Sequence, residues 1–374
     1  MHVPVGKPLL GDIETRYVTD AVSKGEISGF FGSYIGKFEK EFAAFCGAKE
    51  AVTVSSGTTA LHLALATLKI GPGDEVLVSS FTNMATFFAV LYQGATPIPI
   101  DSEEGTFNID PRLIEEKITP RTRAILVVHI YGHPADMDPI MAIAKKHNLR
   151  VIEDAAEAHG AEYKGRKTGS IGDIGCFSFY ANKIITTGEG GMLTTNDSAL
   201  AAEARSLKAL AFGTENKFMH RAIGYNYRMT NVQAAIGVAQ MTRIEDILKR
   251  KRAMAAYYLQ HLADIPGLEL PIERAYAKNV YWMFNIILSG SLAGRRREFM
   301  HQLAKVGVET REDFIPFNGQ DLFVKQGLTH KEDCPVANRA GEDGLYLPSG
   351  TDISEEEQAY VVKRIHEVAR AMVA

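Results

Sequence analysis

The sequence predicts an α/β fold: a large domain with a mostly parallel seven-stranded sheet covered by helices, followed by a smaller C-terminal α+β domain. Three observations predict it. Short apolar runs at 50–54, 75–79, 96–100, 123–130, 149–153, 174–179 and 191–195 alternate with helical stretches. These runs are apolar on both faces, as strands buried on both sides are, and such strand–helix alternation builds a parallel sheet between helices. The chain is 374 residues long and 46% hydrophobic, enough for one large core and a smaller second one.

The elements follow in order. A helix is expected over 139–147, with Asp138 as N-cap, Pro139 at its first position and Lys145, Lys146 and His147 at its negative end. Thr230-Asn-Val-Gln233 has the form of a capping box. It opens a long helix in which Ile236, Ala239, Ile244, Ile247, Leu248, Met254 and Tyr258 keep roughly helical spacing. That helix should leave the large domain (1–245, including an N-terminal arm) and enter the small one (246–374). The small domain then reads as strand 279–288, helix 297–305, strand 307–311 and a final helix. A second box, Ser354-Glu-Glu-Glu357, starts that helix, and Val361, Ile365, Val368 and Met372 form its apolar stripe.

Bulk properties exclude several classes. A net charge of −4 argues against a dedicated nucleic-acid binder. The one dense basic run, Arg295-Arg-Arg297, is followed at once by Glu298 and reads as a solvated helix start. Cys46, Cys176 and Cys334 lack metal-ligand spacing and form no disulfide framework, so a reducing cytoplasm is expected and no metal. The N-terminus lacks a signal-peptide layout, and no apolar run approaches the ~18 residues of a membrane span.

The chemistry gathers at four segments. Lys183 lies between the apolar run Gly175–Asn182 and the glycine-rich Gly188-Glu-Gly-Gly191. Burial there should favour the neutral amine, the form that Schiff-base chemistry needs. Asp154 stands at the carboxyl end of a strand, where ligands bind in open α/β sheets. Ser55-Ser56-Gly57-Thr58-Thr59 joins a strand to the helical run Ala60–Leu65 and makes an anion cradle of free N–H groups and helix dipole. Gly224–Thr230, containing Asn226, precedes the long helix. An amine for an aldehyde, a carboxylate for a ring nitrogen and donors for a phosphate are the needs of pyridoxal 5′-phosphate.

These segments resemble the sugar aminotransferases that act on nucleotide-linked keto-sugars, the DegT/DnrJ/StrS type within fold type I of pyridoxal-phosphate enzymes. The resemblance runs from Phe38-Glu39 to Leu347-Pro348-Ser349. It is carried by Ser56–Leu61, Gly71–Val76, His129-Ile-Tyr-Gly132, Glu153-Asp-Ala-Ala156, Phe177-Ser-Phe179, Lys183, Gly188–Gly191 and Asn226-Tyr-Arg-Met229. Asn182–Met192 and Tyr227–Gly237 look most like GDP-perosamine synthases, which belong to lipopolysaccharide O-antigen biosynthesis.

The resemblance implies that Lys183 carries the cofactor and moves protons, and that Asp154 keeps the ring nitrogen protonated. A contact pair of that kind is worth on the order of 4 kcal/mol at an effective dielectric of about 20, before desolvation. Gly57 and Thr58 supply N–H groups to the phosphate, Ser178 and Ser56 hydroxyls, and Asn226 reaches the phosphate of the neighbouring subunit in a homodimer with shared sites. Glutamate donates the amino group, and the acceptor is a 4-keto-6-deoxysugar on a nucleotide, aminated at C4; a 3-keto sugar is the alternative.

Two positions depart from the common pattern. Glu157 stands where many members have glutamine, so it must be protonated, or the cofactor's phenol must hold the proton, or the side chain takes another pose; perosamine synthases also carry glutamate here. Asn83 replaces the usual aromatic and cannot stack on the ring in the same way. His133, His159, Trp282, Arg311 and Asn318 are further candidates for the sugar-nucleotide pocket, each as readily a core or interface residue. Pyridoxamine-dependent sugar dehydratases of the same fold replace the Schiff-base lysine with histidine, so Lys183 speaks against that class. A non-enzymatic sensor would not need Lys183 and Asp154 together.

Overall fold

A computed structural model of the chain describes residues 1–213, 215–220 and 222–373. Seven strands form the main sheet: β1 (Glu50–Val54), β2 (Glu75–Ser79), β3 (Thr96–Ile100), β4 (Thr122–Val128), β5 (Arg150–Asp154), β6 (Ile174–Ser178) and β7 (Gly191–Thr195). Their order is β1-β7-β6-β5-β4-β2-β3. β3, β2, β4, β5 and β6 run parallel, whereas β7 is antiparallel to both β6 and β1. Nearly every residue of these strands is buried, which fits their doubly apolar composition. The parallel strands end together, so the turns after β4, β5 and β6 share one edge of the sheet. That edge carries the site.

Helices α1 (Asp12–Ser23), α2 (Ser33–Cys46), α3 (Gly57–Thr67), α4 (Ala85–Tyr92), α5 (Met137–His147) and α6 (Ser198–Leu207) accompany this sheet. Beyond them, α7 (Asn231–Met241) and α8 (Ile244–Leu262) precede a four-stranded sheet of β8 (Leu268–Glu269), β9 (Phe284–Leu288), β10 (Arg311–Glu312) and β11 (Gly344–Leu347) in the order β8-β9-β11-β10. Met254, Tyr258, Phe284, Phe299 and Leu345 form its core. Val361, Ile365, Val368 and Met372 of the last helix, Glu355–Val373, join that core, and Ser354 and Glu357 make the reciprocal cap.

Several boundaries differ from the sequence expectation, each for a tertiary reason. α5 starts at Met137, not Pro139. Asp138 is therefore no N-cap; its N–H donates to Tyr163 Oη (3.1 Å) and its carboxylate pairs with Lys164 (2.6 Å). β4 stops at Val128 because Ile130–Gly132 folds into a tight turn with Tyr131 at φ 51°. The helix opened by the Thr230 box breaks at Thr242 and Arg243. There the Thr242 hydroxyl donates to the Ala239 carbonyl (2.6 Å), and Arg243 turns to Glu14 (2.6 Å) in α1. Residues 279–283 and 307–310 were expected within strands, but only Phe284–Leu288 and Arg311–Glu312 join the second sheet. Val280 and Trp282 instead donate their N–H groups to the Gly132 and Tyr131 carbonyls, and Val308 bridges to Val3.

Candidate active site

The anion cradle forms as its residue types require. Ser56 caps α3: its Oγ accepts the Thr59 N–H (3.2 Å), and Thr59 Oγ1 accepts the Ser56 N–H (2.9 Å). Gly57 and Thr58 hold the first two helical positions, where an N–H has no intrahelical partner. A Cβ on Gly57 would come within 2.7 Å of the Ser178 Cβ, so glycine lets the helix start close against the end of β6. The Ser178 hydroxyl, accepting the Tyr180 N–H (3.3 Å), lies beside this opening.

Asp154 ends β5 and is buried. Its Oδ2 accepts the Thr86 hydroxyl (2.9 Å) and its Oδ1 the Ala156 N–H (3.2 Å). Burial raises this carboxyl above its usual range, against those two bonds and the nearby Lys183 charge. Thr82 Oγ1 lies 2.9 Å from Thr86 Oγ1. Because Thr86 gives its proton to Asp154, Thr82 gives its own to Thr86. A carboxylate so buried, with two neutral donors and no contacting cation, is suited to a protonated ring nitrogen.

Lys183 follows the turn after β6, with its side chain 11% exposed. Its Nζ lies 3.9 Å from Glu157 Oε1 and 3.6 Å from the centroid of the Trp282 ring. Desolvation lowers the pKa of the amine, opposed by the charges of Glu157 and Asp154. Desolvation pushes Glu157 the other way, to about 7, although its Oε2 accepts the Tyr131 N–H (2.8 Å). Glu157 is thus poised between acid and carboxylate, which favours the protonated option among those its residue type left open. A desolvated cation over an indole is worth about 2 kcal/mol, so Lys183 has both a carboxylate and an aromatic neighbour.

A cavity of about 370 Å³ brings these groups together. Ser56, Gly57, Thr58, Asn83, Asp154, Glu157, Ser178, Lys183 and Trp282 all line it, together with Phe314 and Tyr346. Asn83 Oδ1 accepts the Ala85 N–H (3.0 Å) at the start of α4, so its amide is turned to the backbone. The other candidates do not line this cavity. Asn226 is exposed and bridges Ala209. His159 packs against Phe42, Phe177 and Phe179, where burial lowers its pKa to about 3. Asn318 is used up by Ser80, Lys331 and Asn338, and His133 by Pro134 and Arg274. Arg311 pairs with Glu309 (2.6 Å) and lines an adjoining cavity of about 260 Å³ whose wall also includes Lys183 and Trp282. Sequence reasoning missed Thr86 and Tyr131 as partners of the two carboxyls. Their only local signal is that Thr82 and Thr86 are spaced one helical turn apart.

The donor set fits pyridoxal phosphate: unpaired N–H groups for a phosphate, a buried carboxyl for a ring nitrogen and a desolvated amine for an aldehyde. The comparisons agree with this fit. A model of the DegT/DnrJ/EryC1/StrS aminotransferase family matches residues 9–366. The GDP-perosamine synthase of Caulobacter vibrioides is 42% identical over 368 residues, covering 98% of each chain. The dTDP-3-amino-3,4,6-trideoxy-alpha-D-glucose transaminase of Streptomyces venezuelae is 37% identical over 361 residues, covering 95% of this chain and 93% of the other. Among solved structures, S. venezuelae DesV superposes with a TM-score of 0.90 at 34% identity, covering 97% of this chain and 99% of that one.

The fold and site define a sugar aminotransferase of the pyridoxal-phosphate-dependent type. The chain belongs to the DegT/DnrJ/EryC1/StrS aminotransferase family.

Proposed function

We propose that the protein transfers an amino group from glutamate to C4 of a nucleotide-linked 4-keto-6-deoxysugar, as a GDP-perosamine synthase does, for a cell-surface polysaccharide such as O-antigen. The observation that carries this reading is the single cavity shared by Lys183, Asp154, Glu157 and the Ser56–Thr58 cradle, in a chain 42% identical to a GDP-perosamine synthase over 98% of its length.

Pyridoxal 5′-phosphate, when bound, supplies an electron sink for the carbon that gains or loses the amine. The protein's residues do the rest. Gly57 and Thr58 N–H groups and the Ser56 and Ser178 hydroxyls would hold the phosphate. Asp154, fixed by Thr86 and Ala156, would hold the ring nitrogen protonated. Glu157, in its protonated form, would offer the ring's phenolic oxygen a hydrogen bond that an ionised carboxylate cannot. The Lys183 amine, once free, takes a proton from the amine-bearing carbon of the donor and returns one to the acceptor. Desolvation lowers its pKa, which favours the neutral form that taking a proton needs. Phe314, Trp282 and Tyr346 give the cavity an aromatic wall.

The exposed Asn226 suits service to the cradle of a second copy, in a homodimer with two shared sites. The division into residues 1–245 and 246–374 suits a site built mainly by the larger part. Three free, buried cysteines suit a reducing cytoplasm.

The test is to incubate the enzyme with glutamate and a panel of GDP-, dTDP- and UDP-linked 3-keto and 4-keto sugars, and to identify the amino sugar by mass spectrometry and NMR. Amination of a GDP-linked 4-keto sugar is expected. Amination only at C3, the chemistry in the name of the S. venezuelae relative, would replace this reading.

A further inference from the structure

The aromatic partner of Lys183 is held more firmly than a pocket wall needs. Trp282 is the only tryptophan of the chain. Its N–H donates to the Tyr131 carbonyl (2.9 Å), its indole Nε1–H donates to the Asn182 carbonyl (2.8 Å), and its own carbonyl accepts the Lys251 Nζ (2.9 Å). Lys251 is buried and also donates to the Ser349 carbonyl. The preceding residue, Tyr281, adopts φ 49°, and Gly132, at φ 98°, leaves space that a Cβ would take from the 280–282 segment. Three hydrogen bonds and a left-handed residue thus aim one ring face at one amine. The bond from Nε1 to Asn182 ties the ring to the residue beside Lys183, so ring and lysine are registered to each other.

We propose that Trp282 is a positioning residue for the reacting amine: its indole face is the resting place of the free Lys183 ammonium, which Glu157 also neighbours, and Lys251 holds that face in position. The inference rests on the reading of Lys183 as the reacting amine. A lysine released in mid-reaction has four flexible carbons and would otherwise drift from the cavity. The ring gives it a second contact besides Glu157, one that favours a cation over a neutral amine. The amine therefore waits, protonated, between the Glu157 carboxyl group and a π-face. Once that proton has passed to the carbon of the acceptor, the attraction to the ring ends and the neutral amine is free to turn to the next substrate. Trp282, read from the sequence as a candidate sugar contact, acts here on the enzyme's own lysine.

The lone tryptophan makes this measurable without turnover. Emission of the cofactor-free full-length protein should shift with pH through a one-proton transition, as the charge over the ring is lost. Glu157, Asp154 and His159 also face the amine, and Lys251 and Tyr346 flank the ring. The transition is therefore measured in Lys183→Met and Glu157→Gln as well. It should persist in Glu157→Gln and vanish in Lys183→Met. An unchanged transition in Lys183→Met, or none in the wild type, overturns the proposal, even if Lys183 is the cofactor lysine. In turnover, Trp282→Leu should lower kcat about tenfold with KM for both substrates within about twofold, and Trp282→Phe should recover most of the loss. A phenylalanine variant as slow as the leucine one also overturns it.

Discussion

Glu157 Oε1 lies 3.9 Å from Lys183 Nζ, with the two side chains 6% and 11% exposed. Burial moves their pKa values towards each other, raising the acid to about 7 and lowering the amine. Groups displaced in this way are what proton transfer at neutral pH requires.

The Glu157 shift has a stability consequence. The folded value, about 7, lies above the ordinary value of 4.5, so between them the folded chain keeps a proton that the unfolded chain releases. Stability from this group is complete below about pH 4.5 and is lost as pH rises through about 7. Glu157→Gln has no such proton to lose. Thermal melts of the cofactor-free protein should therefore show Glu157→Gln gaining on the wild type across this window, by about 3 kcal/mol at most. A constant difference from pH 5 to 8 would contradict the shift.

Asp154→Asn keeps the shape and removes the charge. Turnover should fall on the order of 10²–10³-fold, while pyridoxal phosphate still binds through the cradle. Absorbance titration with the cofactor and initial rates check both halves. Near-wild-type rates would leave Asp154 as no more than a strand-end turn residue.

Gly57→Ala places a Cβ 2.7 Å from that of Ser178. Overpacking of this kind costs about 1–3 kcal/mol, and here it also displaces the two N–H groups of the cradle. Stability and cofactor affinity should both drop. The double variant Gly57→Ala, Ser178→Gly removes the clash along with one phosphate hydroxyl, so its loss should be smaller than the sum of the two single losses. Strict additivity of the two losses would contradict the packing argument.

Much of this was legible in the sequence. The seven strands were, because their runs are apolar on both faces and end in turn residues, and all seven form. The cradle was legible because Ser56, Gly57 and Thr58 are local to one strand–helix junction. What stayed hidden depends on contacts distant along the chain. Nothing near Trp282 says that its ring faces Lys183, and 279–283 reads as strand although its N–H groups go to the Tyr131–Gly132 turn. The helix break at Thr242 and Arg243 is likewise set by Glu14, far away in α1.

Asn226 is tested by mixing. Lys183→Ala and Asn226→Asp homodimers should each be impaired, the second because its carboxylate repels a neighbour's phosphate. Subunit exchange puts both lesions in one site and leaves the other intact, so activity should rise. No recovery in confirmed heterodimers would place Asn226 at its own subunit's site.

Lys183 is one of three desolvated lysines among the described residues, and it is the one proposed to carry the cofactor. Lys208 and Lys251 are also desolvated amines with lowered pKa values, Lys251 to about 7, so desolvation alone does not single one out. Borohydride reduction of the protein loaded with pyridoxal phosphate, followed by peptide mass spectrometry, decides the matter. A phosphopyridoxyl group on Lys183 is the predicted result; the same group on Lys208, Lys251 or any other lysine would contradict the account.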